Sequence, residues 1–307
     1  MKEKELKLPA YGGQALIEGV MMRGKHALGV AMRAPDGEIV VKTEKLPAIY
    51  ASNFRKVPFL RGSILLLDAM GLGMRILTDS ANLQTGDDEK IEGYQLVLTV
   101  MFSLAIAILL FFVLPTVVAE LINRWITMQP WVLNLVEGVI RLVFIIAYVW
   151  GVGLIKDIQR VYSYHGAEHK TINAFENNIP LIPSEVKKCS REHPRCGTSF
   201  ILAVAVIAII VFTFIGPMPV LWRILTRIVL IPFIAGIAYE YTRFLANNMD
   251  NKIVYTIAKP NLALQQLTTR EPDESMIEVA IAAFNAMLEK EQNEPINRTS
   301  AKERDQV

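Results

Sequence analysis

Apolar residues in this chain fall in long blocks separated by short polar stretches, and the blocks set its organisation. Residues 1–10 are charged and read as loose chain. The glycine-rich GGQALIEGVMMRG follows, with neither a helical nor a strand period sustained. Two readings fit that stretch. One is a set of turns feeding a sheet; the other is a backbone cradle for an anion or cofactor, with Arg23 assisting. It lacks the Gly-Lys-Ser/Thr ending of a phosphate loop and does not match the dinucleotide pattern. Beyond it, LGVAMRA and EIVVKTEKL flank Pro35-Asp36-Gly37, which predicts a small hairpin or sheet over 28–46. From 63 to 83 the period becomes helical, with Asp68, Arg75, Asp79 and Asn82 on one narrow arc. Charges in mid-stretch argue against a span there, so the segment is read as a helix at a membrane interface or along a bundle.

After a polar linker at 84–93, four membrane-length runs are predicted. The first, 94–119, contains Pro115, which predicts a kink. The second, 131–155, carries Glu137 and Arg141 one turn apart and able to pair. The third, 199–215, is short and stops at Gly216-Pro217-Met218-Pro219, a hairpin signal. The fourth, 220–245, has Arg223 and Arg227 near its start and Glu240 and Arg243 near its end. Residues 247–271, around Pro260, read as irregular. An amphipathic helix is predicted over 273–291, its stripe formed by Ile277, Ala280, Ile281, Phe284 and Leu288. From 293 the chain is polar and expected to be disordered.

Composition agrees with an integral membrane protein that has soluble portions: 52% of the 307 residues are hydrophobic. The net charge of +2 comes from nearly balanced acids and bases, which leaves no nucleic-acid footprint. The N-terminus lacks the apolar core of a cleavable signal peptide. Thirteen Lys and Arg precede the first run, one lies in the loop after it and seven lie in the next loop. That asymmetry places both termini and the second loop, 157–198, in the cytoplasm, with Arg223 and Arg227 running against it. Cys189 and Cys196 then sit in a reducing compartment, as thiols or metal ligands rather than a disulfide.

That second loop carries the candidate chemistry. Within SYHGAEHKTINAFE, His165 and His169 are four apart, and on a helix they share a face. HxxEH is a pattern in which two histidines hold zinc and the glutamate, here Glu168, is the general base. A catalytic zinc takes three protein ligands. The third is His193, Cys196 or Glu240, and spacing does not choose among them. Three of the four histidines cluster in this loop beside both cysteines, which favours metal over a solvated polar turn. Glu176 lies too far along the helix for the same ion, whereas Asn173 is placed to hydrogen-bond a ligand histidine.

GGQALIEGVMMRG, YHGAEHKTINAFE, HPRCGTSF, YEYTRF and LQQLTTREPD, in that order, resemble the YqhQ-like family of bacterial membrane proteins. The family is of unknown function and is labelled a predicted metal-dependent enzyme. The resemblance implies that His165, Glu168, His169, His193 and Cys196 belong to shared motifs, whereas Cys189 falls outside them.

The expected fold is mainly α: a polytopic inner-membrane bundle of four spans plus an interfacial helix, under a small cytosolic α+β cap. Its divisions are 1–92, spans at 93–156 and 199–246, the metal-site loop 157–198, a cytosolic segment 247–292 and a tail 293–307. The leading functional reading is a metal-dependent, hydrolase-like enzyme at the cytoplasmic face, using zinc or another divalent ion on an unidentified substrate. The alternatives are a non-catalytic scaffold with a structural metal, and a transporter using Glu137, Arg141 and Glu240.

Overall fold

A computed structural model describes residues 11–46, 59–85, 93–216 and 218–293. The expected loose N-terminus, most of the polar linker, Pro217 and the tail lie outside the described residues, as does the side chain of Asp68.

The chain is mainly helical, with one small antiparallel sheet near its N-terminus. Four strands, β1 (Gly12–Leu16), β2 (Gly19–Arg23), β3 (Ala27–Arg33) and β4 (Ile39–Lys45), pair in sequence order. The predicted hairpin is β3–β4. The glycine-rich stretch is neither a set of turns nor an anion cradle: it is β1–β2, turning at Ile17-Glu18. Helix α1 (Leu60–Thr85) covers one sheet face, where Leu72 and Ile76 pack on Leu16, Met21, Leu28, Val30 and Met32. Helix α11 (Glu274–Asn293) covers the other, where Ile277, Ala280, Phe284 and Met287 meet Val20, Met22 and Ala31. The expected stripe of α11 is buried except for Leu288, and Asp273 caps it by accepting from the Met276 N–H at 2.9 Å.

Helix α2 (Gly93–Ile108) continues through a π turn at Leu109–Val113 into α3 (Leu114–Trp125). Pro115 accounts for that turn: it has no N–H for the carbonyl of Phe111, which instead accepts from Arg141 Nε at 2.8 Å. Helix α4 (Pro130–Val152) follows, then α5 (Lys156–Glu176), the short α6 (Pro183–Val186) and α7 (Gly197–Thr213). Helices α8 (Val220–Val229) and α9 (Ile231–Asn247) meet at a bend of 46°. The fourth run is therefore a bent pair, with Pro232 just past the break. Among the described residues two helices, Gly93–Trp125 and Pro130–Val152, are long and apolar enough to cross a membrane, three if the bent pair is one span; α7 is shorter and apolar.

Residues 247–271 are not irregular: they contain α10 (Lys252–Thr268), with Asn251 accepting from the Ile253 and Val254 N–H groups. Pro260 sits on its exposed side and removes one helical hydrogen bond there. Burial of Val254, Ala258, Leu262 and Gln265 offsets that loss.

The bundle is polar inside and apolar outside. Glu137, fully buried on α4, accepts from Arg141 at 2.6 Å and from Arg227 of α8 at 2.6 Å. Arg227 also reaches Asn134 at 3.0 Å, and Arg223 reaches Glu120 of α3 at 3.3 Å. On the same short helix, Leu221, Trp222 and Val229 are 66%, 62% and 73% exposed.

Candidate metal centre

The two histidines lie on α5, which ends where Asn178 takes a left-handed conformation (φ 55°). The chain then folds back over α5 and is tied there. Lys170 donates to the carbonyls of Lys187 and Cys189 at 2.6 and 2.9 Å. Asn173 donates to those of Ser190 and Glu192 at 2.8 and 3.0 Å. This fixes the carbonyl of Arg191, which takes the Nδ1 proton of His169. Asn173 therefore holds the histidine's acceptor rather than the histidine.

His165 donates its own Nδ1 proton to the carbonyl of Thr268, at the end of α10, at 2.9 Å. A carbonyl only accepts, so both rings carry a proton on Nδ1, which makes Nε2 the ligand atom of the neutral ring. His165 Nε2 lies 3.3 Å from Cys196 Sγ, and His169 Nε2 is buried with no hydrogen-bond partner among the described residues. Burial also holds the His169 pKa below the ordinary histidine value, although Cys196 and the Arg191 carbonyl oppose this. One donor atom from each of His165, His169 and Cys196 falls within 4.8 Å of the other two.

Cys196 arrives from α7, whose N-cap it occupies. Its sulfur accepts from the Thr198 N–H at 3.4 Å and lies 3.0 Å from the Thr198 hydroxyl. The positive end of the helix dipole thus faces the sulfur. Two imidazoles and one thiol are a borderline-soft donor set suited to zinc. The 3.3 Å between Sγ and Nε2 approaches the separation of about 3.6 Å between ligands of a tetrahedral zinc. The residues present fit such an ion.

Glu168 stands beside this set and outside it. One of its oxygens accepts from the Gly13 N–H on β1; the other, Oε2, is buried and without a hydrogen-bond partner among the described residues. Gly13 has to be glycine there, because a Cβ would stand 2.9 Å from the Glu168 Cγ and Cδ. Burial raises the Glu168 pKa above the ordinary carboxylate value, with His165, His193 and the Gly13 N–H pulling the other way.

The structure does not bring His193 or Glu240 into the His-His-Cys set. The His193 ring is buried with its Nε2 3.4 Å from Glu176 and 3.3 Å from Arg195, and burial holds its pKa down to about 4. Glu240 accepts from the Phe59 N–H at 3.3 Å, at the junction of α9 and α1. Glu137 is committed to Arg141 and Arg227, which favours packing over transport.

Three supports escaped the sequence reading: Gln265, Thr268 and Gly166. Gln265 clamps the His193 backbone by accepting from its N–H at 2.9 Å and donating to its carbonyl at 2.8 Å. Thr268 supplies only a backbone carbonyl, which no side-chain pattern reveals. Gly166 lets α5 press against the carbonyl of Arg270, where a Cβ would collide. Gln265, Thr268 and Arg270 all belong to LQQLTTREPD, and that segment was the available signal.

Residues 57–290 match a family described as "Protein of unknown function (DUF1385)". The chain is 34% identical over 297 residues to "Uncharacterized protein YqhQ" of Bacillus subtilis (strain 168), covering 91% of this chain and 92% of that protein. No solved structure matches.

Proposed function

The chain belongs to the YqhQ-like family, and from that premise we propose that it is a metal-dependent, hydrolase-like enzyme of the bacterial inner membrane. His165, His169 and Cys196 hold a divalent ion, best zinc, at the cytoplasmic face. The observation that carries this reading is the tautomer lock. Two backbone carbonyls take the Nδ1 protons, and the freed Nε2 atoms face one thiol, with that of His169 otherwise unpartnered. Three protein ligands leave a position for substrate, as catalytic zinc sites do. Zinc bound there supplies Lewis acidity. Glu168 holds and moves a proton at Oε2, since burial brings its pKa toward the range a general base needs. The site's place at the head of α7 favours a substrate that reaches the membrane surface, a lipid or peptide.

The four-span arrangement, with both termini cytoplasmic, rests on two supports. All four tryptophans are exposed (Trp125, Trp131, Trp150 and Trp222). Trp131 and Trp150 bracket α4 about 28 Å apart, close to the hydrocarbon thickness of a bilayer. Helix α8 turns its arginines inward and its leucines outward, the arrangement lipid demands. Arg223 and Arg227 are drawn into ion pairs inside the bundle rather than lying free in a loop, so they do not count as loop charges against the orientation.

The alternative, a scaffold with a structural metal, draws on the burial of His169 and Cys196, 1% and 9% exposed. The experiments divide the readings. Purified wild type should carry about one zinc per chain, and His169→Ala and Cys196→Ser should lose it; equal content in all three removes the metal. Cobalt-loaded wild type should show a thiolate-to-metal absorption that Cys196→Ser lacks. Glu168→Gln should keep metal and melting temperature but lose the protein's cellular effect, whereas a scaffold tolerates it. Resistance to alkaline extraction from membranes tests the bilayer placement by itself.

A further inference from the structure

A second polar site lies at the opposite end of the bundle from the histidines. Arg141, Arg223 and Arg227 converge there on only two carboxylates, Glu137 and Glu120. Among the described residues of this network, three guanidiniums face two carboxylates, which leaves one positive charge uncompensated. Arg227 is 1% exposed and Arg223 9%, so that excess lies in a low dielectric, where an unpaired charge is costly. A cavity of about 220 Å³ opens beside it, lined by Glu120, Asn123, Leu133, Asn134, Met218 and Arg223. That space holds several water volumes of about 30 Å³ each, enough for a tetrahedral oxyanion.

The position says where such an anion comes from. Trp125 follows Asn123 by two residues, Trp131 follows the lining Pro130, and Trp222 precedes Arg223; all three are exposed. Aromatic side chains of this kind sit at headgroup depth. The cavity mouth is therefore level with the phosphates of that leaflet. We propose that this cavity binds the phosphate of a phospholipid headgroup, with Arg223 as its cationic partner and Glu120 as the competing carboxylate that the phosphate partly displaces. Planar guanidinium suits a phosphate, and the network behind it holds Arg223 in place through Glu137 at 3.9 Å. The site is independent of the metal and rests on the bilayer placement, which alkaline extraction tests separately.

Full-length protein in detergent micelles is titrated with dioleoyl phosphatidylglycerol, and lipid retained per chain is read by native mass spectrometry. Wild type should retain one lipid preferentially. Arg223→Gln should weaken retention by about tenfold, the size of one lost charge-assisted hydrogen bond. Glu120→Gln removes the competitor and should tighten retention, an outcome that misfolding does not produce. Equal retention by all three proteins overturns the proposal. Displacement of the lipid by inorganic phosphate at comparable concentration overturns the lipid assignment and leaves a free-anion site.

Discussion

Gly166→Ala is the most informative single change, because helix propensity and tertiary contact give it opposite signs. In the interior of α5, alanine is intrinsically better than glycine by about 1 kcal/mol. Against that, the new Cβ meets the Arg270 carbonyl, with Pro272 Cδ at 3.3 Å. This carbonyl has little room to retreat. The Arg270 N–H bonds the Tyr162 carbonyl at 2.9 Å, and its guanidinium bonds Gly153 at 3.0 Å. Overpacking against pinned backbone costs about 1–3 kcal/mol. The net expectation is a loss of about 1 kcal/mol where propensity alone gives a gain. The same displacement stretches the bond from His165 Nδ1 to Thr268, and loss of such a support lowers metal affinity by about 10–100-fold. The assays are thermal unfolding in detergent, with and without added zinc, and zinc competition against a chromogenic chelator. A Gly166→Ala protein that melts at or above wild type and holds zinc equally well refutes the claim that the 268–272 strap positions His165.

Three further outcomes are expected. Glu137→Gln leaves Arg141 and Arg227 buried without a counter-charge and should cost about 3–5 kcal/mol; unchanged detergent melting would show the network to be solvated. Gln265→Leu strips partners from the His193 backbone and the Ser199 hydroxyl, and should cost about 2–4 kcal/mol by the same assay. Hydrogen bonds from Arg160 hold the Glu18 carboxyl below 4.5, with Tyr164 helping and burial opposing. A carboxylate depressed on folding contributes stability above its unfolded pKa, and that contribution disappears as pH falls through the folded value. Arg160 is half exposed, so the contribution is at most about 1 kcal/mol. Glu18→Gln should lower stability at neutral pH by that much and flatten the acid limb of the melting curve; parallel curves for both proteins would contradict the assignment.

The sequence disclosed those parts of the molecule whose period survives packing. Helix α11 shows its stripe because only one face is buried, and α5 shows the His165–His169 spacing because both rings point the same way. Strands β2 and β3 hide theirs. With α1 on one side and α11 on the other, Met21 and Met22 are both buried, so no alternation remains to be read. Helix α10 was masked by Pro260, whose cost is offset only by contacts made across the fold. For the third ligand, sequence spacing left His193, Cys196 and Glu240 equivalent. Cys196 stands apart only once α7 is seen to start directly after it, so that the cap position aims the sulfur back toward α5.

The supports of the site come from three separated segments, and each contributes a backbone group that only placement in the fold supplies. The β1 strand gives the Gly13 N–H to Glu168. The loop before α7 gives the Arg191 carbonyl to His169, and the end of α10 gives the Thr268 carbonyl to His165. Gln265 then fixes the turn from His193 into Cys196. A structural polar turn needs none of this, since exposed imidazoles satisfy themselves with water. Burying the His169 ring with its tautomer set by a carbonyl costs solvation, and among the described residues its Nε2 meets the hydrogen-bond criteria with no partner. A cation at that nitrogen would supply the partner. It would also join α5, which packs on the sheet, to the start of the apolar helix α7, so that one ion would tie the two parts of the fold together.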